Sequence, residues 1–180
     1  MHGLGNDMIL IDDREEKIRN INEFARRILH RNTGVGADNL LIVRKPSLPG
    51  ADVRMLILNN DGSEAEMCGN GIRCVGKYMY DHGRAVKAEI TVETLDGIKT
   101  LQITPENDKA AKIRVDMGVP VLESPQPEKI TVAGSEWEFS AVDVGSPHAV
   151  YLVPNCEEVP LEKIGVLFEH AARFPNSVHS

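Results

Sequence analysis

Three cysteines are the residues with the clearest capacity for chemistry, and Cys68 has the most favourable surroundings. It stands in Glu-Met-Cys-Gly-Asn-Gly, residues 66–71, directly before a segment that carries small and apolar residues at helical spacing. A thiol at the beginning of a helix faces unpaired backbone N–H groups and the positive end of the helix dipole, which favour thiolate over thiol. The sequence therefore predicts a reactive thiol at Cys68, with a buried, inert cysteine as the alternative.

The other two cysteines are predicted to have no chemical role. Cys74 follows six residues later on the same predicted helix, rotated by about 240° from Cys68, so both cannot face one ligand and Cys74 is expected in the core. Cys156 stands between Asn155 and Glu157 in an acidic loop, where a thiolate is disfavoured. Because the three cysteines form no Cys-x-x-Cys pair, we expect reduced thiols and no metal site.

The polar residues around Cys68 indicate how a substrate could be held. Gly69 and Gly71 flank Asn70 and let the backbone approach a ligand closely, and free amides at a helix start can hold a carboxylate. Proton abstraction beside an amino-acid carboxylate would be supported there.

Several short motifs resemble the diaminopimelate epimerase family in their order and approximate spacing. They are residues 1–7 (Met-His-Gly-Leu-Gly-Asn-Asp), 33–38 (Thr-Gly-Val-Gly-Ala-Asp), 59–74, 92–94 and 145–150, which together cover essentially the whole chain. The resemblance implies an α+β fold of two similar lobes, each a curved, mostly antiparallel sheet wrapped around a central helix. Substrate would lie between the lobes, and each lobe would contribute one cysteine.

The same resemblance implies a reaction and a set of site residues. The expected reaction is the isomerisation of LL-diaminopimelate to meso-diaminopimelate, a step towards lysine and peptidoglycan precursors, without pyridoxal phosphate, metal or any other cofactor. Cys68 would be one of two acid/base thiols. His148 would lie beside the cysteine pair and tune thiol protonation, with a structural loop histidine as the alternative. The implied substrate-binding positions are Asn6, Asn39, Asn59, Gly69, Asn70, Ser146 and His179.

The chain departs from the family pattern in three ways. No second cysteine block occurs before Ser180, so we expect residues 120–180 to form an incomplete second lobe and the 180-residue chain alone to be inactive. A few residues of the usual first strand are absent before Met1. Ser146 and His179 stand where the family has asparagines that bind the distal end of the substrate, which leaves a histidine or lanthionine racemase as an alternative. A non-catalytic binding fragment of the same fold is a second alternative.

The elements that must position these residues follow from hydrophobic periodicity and turn signals. A helix is expected after Asn22 as its N-cap, with apolar residues on one face and Gly34 beyond its end. A second helix is expected over residues 72–80, and Asp96-Gly97 predicts a hairpin. Strands are expected at residues 8–11, 39–43, 53–58, 89–95, 98–103, 112–117, 130–132, 137–144 and 149–153, and a third helix at 161–173. The Pro-containing stretch after residue 119 predicts a boundary between domains 1–119 and 120–180.

Composition limits the remaining function classes. The 180 residues are 42% hydrophobic, which is enough for a globular core, and carry a formal net charge of −7 without a Lys/Arg block. Nucleic acid is therefore not an expected partner. No apolar run reaches the roughly 20 residues of a membrane helix, and the N-terminus lacks signal-peptide features, so we expect a cytoplasmic protein that does not bind membranes. The expected partner is a small amino-acid substrate, and a homodimer is left open.

Overall fold

A computed structural model describes residues 1–85 and 87–174 of the chain. The chain divides into two compact units, of which the first comprises Met1–Met117 and the second begins at Gly118. The predicted boundary after residue 119 lies two residues beyond this division. Strands and a few helices occur in both units, so the predicted α+β class is confirmed. None of the helices in the described part of the chain has both the length and the apolar character needed to cross a membrane.

The first unit is built on one eight-stranded sheet. Its pairing order is β1-β2-β3-β4-β6-β7-β8, and β5 pairs with β4. The pairs β2–β3 and β4–β6 are parallel and the others are antiparallel, as expected for a mostly antiparallel sheet. The strands are β1 (His2–Gly3), β2 (Asn6–Asp12), β3 (Asn39–Arg44), β4 (Val53–Asn59), β5 (Glu64–Ala65), β6 (Glu89–Thr94), β7 (Gly97–Glu106) and β8 (Lys109–Asp116).

One helix of the first unit lies at the centre of the sheet's packing. The unit has α1 (Ile21–Leu29) and, later in the chain, α2 (Gly69–Asp81). Helix α2 contacts strands from both ends of the sheet, namely β1 and β2 as well as β7 and β8. Ile72, Val75 and Met79 of α2 are buried in the same hydrophobic cluster as core residues of β2, β7 and β8. At Gly76 a Cβ would lie 2.6 Å from Leu101 Cδ2, so glycine allows the sheet to approach the helix. The prediction of a sheet wrapped around a central helix is thereby confirmed.

Helix α1 (Ile21–Leu29) covers the opposite face of β3 and β4. Leu40 and Ile42 pack with Ala25 and Leu29 of α1, whereas the intervening Leu41 packs on the α2 side. Because successive strand residues point to opposite faces, a continuous apolar strand needs cover on both faces, and the two helices provide it.

The prediction that Asn22 caps α1 is wrong. Asn20 is the N-cap, and its side-chain oxygen accepts a hydrogen bond from the Glu23 N–H at 3.3 Å. The Asn22 side chain instead donates to the Gly62 carbonyl oxygen at 2.8 Å, in the turn that follows β4. Both residues are asparagines, a type that favours the N-cap position, so only the tertiary contact of Asn22 with residue 62 distinguishes their roles.

Up to residue 174, the second unit is a smaller antiparallel sheet with one α-helix. Its strands are β9 (Val121–Leu122), β10 (Glu128–Val132), β11 (Ser135–Asp143) and β12 (Pro147–Val150), followed by a 3-10 turn at Cys156–Glu158 and by α3 (Leu161–Glu169). Phe168 of α3 packs edge-on against Trp137 of β11. The predicted third helix ended at residue 173, but α3 ends at Glu169. Arg173 instead pairs with Glu128 of β10, and Phe174 packs against Phe139 of β11.

Candidate active site

Cys68 is the N-cap of α2, the helix-start position that the sequence predicts for it. Its backbone is extended, and its sulfur accepts a hydrogen bond from the Gly71 N–H at 3.3 Å. The side chain is half-buried against the core below α2. The sulfur therefore occupies the place of a capping oxygen, where the helix dipole favours negative charge.

Two glycines allow the backbone to close around this helix start. At Gly71 a Cβ would lie 2.9 Å from Leu41 Cδ2 and 3.6 Å from the Cys68 sulfur. At Gly3 a Cβ would lie 2.9 Å from the Cβ of Asn70, so β1 can lie directly on the first turn of α2. A larger residue at Gly3 would move β1 away from the helix, whereas at Gly71 the Leu41 side chain would have to shift.

Three asparagines from separate strands converge beside Cys68 in a hydrogen-bonded series that we call the amide chain (Asn6, Asn39, Asn59). The Cys68 S–H donates to Asn6 Oδ1 at 3.8 Å, and Asn6 Nδ2 donates to Asn39 Oδ1 at 3.3 Å. Asn39 Nδ2 then donates to Asn59 Oδ1 at 2.9 Å. Asn39 and Asn59 are register partners on β3 and β4, and Asn6 begins the adjacent strand β2. Sheet pairing therefore brings together three of the predicted binding positions.

The remaining predicted positions of the first unit, Gly69 and Asn70, are the first two residues of α2. The first N–H groups of a helix have no acceptor within the helix and are suited to hold an anion. The Asn70 side-chain oxygen accepts a hydrogen bond from Arg73, one turn along the helix. These amides lie directly after Cys68 in the chain.

The other two cysteines occupy different environments. Cys74 is only 5% exposed and belongs to the core around α2, which confirms its predicted packing role. Burial raises the pKa of its thiol. Cys156 is exposed in the 3-10 turn of the second unit. Among residues 1–85 and 87–174, no group of three or more His, Cys, Asp and Glu side chains is arranged to hold a metal.

Two further predicted residues, Ser146 and His148, lie in the second unit. His148 is on β12, opposite Val142 of β11, and is half-buried. Its Nδ1–H donates to the Ser146 carbonyl oxygen at 2.8 Å, which fixes the orientation of the ring. The third predicted residue of this part of the chain, His179, lies outside the described residues.

An ion cluster beside the amide chain was missed by the sequence reasoning. Arg31 donates to both oxygens of Asp7, at 2.9 and 3.1 Å, and to Asp38 Oδ1 at 2.7 Å. Hydrogen bonds from Arg31 and from the Asp38 N–H hold the pKa of Asp7 far below its usual range. Asp7 directly follows Asn6 and Asp38 directly precedes Asn39, and this repeated Asn/Asp adjacency is the signal that could have revealed the cluster.

The motif at residues 92–94 has a structural role in the first unit. Glu93 is only 5% exposed, and its carboxylate accepts hydrogen bonds from the backbone N–H groups of Ser47 and Leu48 at 2.6 and 2.9 Å. Arg54 lies 3.5 Å away on the neighbouring strand β4. Glu93 therefore fixes the loop between β3 and β4.

Comparisons with known proteins were made for sequence and for structure. A family model described as diaminopimelate epimerase matches residues 1–123. A diaminopimelate epimerase of Methanococcus maripaludis (strain C6) is 47% identical over 190 residues, which cover 99% of this chain and 68% of the relative. A diaminopimelate epimerase of Acetivibrio thermocellus is 44% identical over 191 residues, which cover 100% of this chain and 68% of that relative. Among solved structures, a probable proline racemase from Agrobacterium radiobacter K84 has a TM-score of 0.64 at 19% identity, covering 72% of this chain and 39% of the racemase. That likeness supports the fold alone.

Proposed function

Because the chain belongs to the diaminopimelate epimerase family, we propose that the protein carrying it converts LL-diaminopimelate to the meso isomer by proton transfer at the α-carbon. The observation that carries the proposal is the position of the Cys68 sulfur. It caps α2, accepts a hydrogen bond from Gly71 and contacts the amide chain. No cofactor is needed in this reaction, because a thiolate and a thiol suffice as base and acid.

The reaction requires the removal of a weakly acidic proton next to a carboxylate. In the proposed step the Cys68 thiolate takes the α-proton, and the electron pair of the C–H bond delocalises into the carboxylate. The N–H groups of Gly69 and Asn70 would bind that carboxylate and stabilise the charge that develops on it. Delivery of a proton to the opposite face of the carbon completes the inversion.

A second acid/base group must face the opposite side of the carbon. Cys74 cannot serve beside Cys68, because it is buried in the core of the first unit. The family resemblance assigns this role to a second cysteine block that residues 1–180 do not contain. We therefore expect the 180-residue chain alone to give no inversion. His148, by the same resemblance, would adjust the protonation of the two thiols.

The test is α-deuterium exchange from heavy water into LL-diaminopimelate, with separate measurement of the meso product. We expect exchange and inversion with the protein that carries this chain. We also expect a loss of at least about 100-fold in Cys68→Ser, since a positioned acid/base group contributes on that order or more. Cys74→Ala is the matched control, because it removes a thiol from the same helix away from the amide chain. Equal rates in Cys68→Ser and the unaltered protein would remove Cys68 from the mechanism, and binding without any exchange would favour a binding fragment.

The distal end of the substrate is assigned separately. Ser146 and His179 would replace two amides with a hydroxyl and an imidazole, which changes the hydrogen bonds available to the far amino and carboxylate groups. We propose diaminopimelate as the preferred substrate, and parallel exchange into LL-diaminopimelate, lanthionine and L-histidine tests this. Faster exchange into histidine would replace the proposed substrate while leaving the role of Cys68 intact.

A further inference from the structure

The side-chain amide of Asn6 is held in one orientation. Its Nδ2 donates to two acceptors, Asn39 Oδ1 at 3.3 Å and Asp38 Oδ2 at 3.1 Å. Both N–H groups of the amide are therefore engaged on the side away from Cys68. The carbonyl oxygen Oδ1 is left facing the sulfur at 3.8 Å.

Asp38 is itself fixed by three contacts. Its Oδ1 accepts from Arg31 at 2.7 Å, its Oδ2 accepts from the Asp7 N–H at 3.0 Å, and its own N–H donates to Asp7 Oδ1 at 2.9 Å. The loop before it closes over Arg31, because a Cβ at Gly36 would lie 2.8 Å from the Arg31 Cα, and Gly36 has a φ of +81°. The motif at residues 33–38 thus places one carboxylate against the amide of Asn6.

The Cys68 sulfur consequently lies between two opposed partners. The Gly71 N–H donates to it, which stabilises a thiolate, whereas Asn6 Oδ1 can only accept, which stabilises the thiol. A reversed Asn6 amide would instead offer a second donor to the sulfur. The amide orientation therefore decides which protonation state its contact with the sulfur favours.

We propose that Asp38 is a positioning residue that orients the Asn6 amide, so that its carbonyl oxygen and not its N–H groups faces the Cys68 sulfur. The proposal rests on the proposed function only in treating Cys68 as the acid/base thiol. Asp38 does not contact the sulfur in this arrangement and acts through Asn6. The charged neighbours include Arg31 and Asp7 in the ion cluster and Arg73 on α2, which bonds to Asn70. The Met1 ammonium group is a further one, and its charge acts on the nearby Cys74.

The experiment measures the rate at which iodoacetamide alkylates Cys68 in the 180-residue chain from pH 6 to pH 10, with adducts assigned by peptide mapping. In Asp38→Ala, which removes both carboxylate oxygens and with them the acceptor for Asn6, we expect a two- to fivefold faster reaction at pH 7, about the effect of one weak hydrogen bond to sulfur. The limiting rate at high pH should not change, because every thiol is then ionised. A loosened structure would instead raise the limiting rate and the labelling of Cys74.

Two further variants separate positioning from a simple change in charge. Asp7→Asn removes the same charge from the same ion cluster but leaves Asp38 Oδ2 as the acceptor for Asn6, so we expect a smaller effect. In an Asn6→Ala background, Asp38→Ala should have no further effect, because the residue through which Asp38 acts is gone. Equal effects of Asp7→Asn and Asp38→Ala, or a full effect of Asp38→Ala in that background, would overturn the proposal.

If Asp38→Ala does not fold, Asn6→Ala alone decides the outcome. The proposal expects faster alkylation of Cys68 at pH 7 in that variant, since the thiol loses its acceptor, and an unchanged rate overturns it. The alkylation measurement requires no turnover. Failure of the proposed epimerisation and failure of the positioning role are therefore distinguished by the exchange and alkylation experiments.

Discussion

At the scale of single residues, neighbours rather than residue type set the chemistry. Cys68 and Cys74 lie on the same helix, yet one caps the helix beside the amide chain and the other is enclosed by the core. A sulfur at a helix start can exchange a proton with a bound molecule, whereas burial raises the pKa of Cys74 and removes it from contact with a ligand. The surroundings of a carboxylate likewise determine its pKa.

Glu93 is a buried carboxylate that accepts several hydrogen bonds, so its ionisation should affect the stability of the fold. Burial raises its pKa, but hydrogen bonds from Ser47 and Leu48 and the charge of Arg54 outweigh burial and leave the pKa below the ordinary value of 4.5. Its contribution to stability is therefore complete above about pH 4.5 and is lost as pH falls through the lowered value. We expect Glu93→Gln to lower the free energy of unfolding by about 1–3 kcal/mol at pH 7.

Urea titrations at pH 7, 5 and 3 measure this effect. The stability difference between the unaltered chain and Glu93→Gln should shrink between pH 5 and pH 3, because only the unaltered chain loses the ionised group. Glu89→Gln, an exposed position on the same strand, serves as the control and should change stability by less than about 0.5 kcal/mol. A difference that stayed constant down to pH 3 would contradict the assigned ionisation of Glu93.

At the scale of elements, glycines decide how closely a helix, a loop and a strand approach one another. Gly3 and Gly71 permit β1 and β3 to lie on the first turn of α2, where Cys68 is placed. Gly34 allows the loop after α1 to fold back on that helix, and the N–H of Val35 donates to the Ile28 carbonyl oxygen at 2.9 Å. The same loop carries Asp38 to the beginning of β3.

Substitution of Gly34 tests this close approach. A Cβ at residue 34 would lie 2.3 Å from the Arg27 carbonyl oxygen and 2.5 Å from that of Ile28, and backbone atoms cannot move aside as a side chain can. We expect Gly34→Ala to lower the free energy of unfolding by about 3 kcal/mol, at the upper end of overpacking costs. Val35→Ala is the control in the same loop, because Val35 is 72% exposed, and its effect should be below about 0.5 kcal/mol. Similar thermal midpoints for the two variants would show that the loop adjusts freely.

At the scale of the whole molecule, each unit has its own hydrophobic core. The two clusters on either side of the first unit's sheet draw only on residues before Gly118, and the aromatic clusters of the second unit draw only on later residues. A unit with its own core can in principle fold alone. The amide chain, the ion cluster and Cys68 all belong to the first unit.

Residues 1–117 should therefore fold without the rest of the chain. We expect this fragment to unfold cooperatively and its Cys68 to be alkylated at a rate within about twofold of that in the 180-residue chain, because every described contact of the sulfur is retained. Circular dichroism during heating and peptide mapping after alkylation are the measurements. A fragment that bound hydrophobic dyes and showed no cooperative transition would mean that the first unit depends on residues after 117.

Much of the site could be predicted from the sequence because it depends on local chemistry. The block around Cys68 indicated a helix start by its small and polar residues, and Asp96-Gly97 indicated a hairpin by the turn that these residues favour. The separate roles of Cys68 and Cys74 follow from helical periodicity alone. The expected positions of Asn6, Asn39 and Asn59 came from family resemblance, since isolated asparagines are otherwise typical of turns.

Only the tertiary structure decided which polar groups meet. Asn20 and Asn22 are equally suitable caps in sequence, and the contact between Asn22 and Gly62, 40 residues apart, separates them. The ion cluster likewise joins Asp7 to Arg31 and Asp38, which are 24 and 31 residues later in the chain. Local patterns report propensity and burial, whereas hydrogen bonds between distant segments depend on strand order and register, which the sequence specifies only through the packing of the whole sheet.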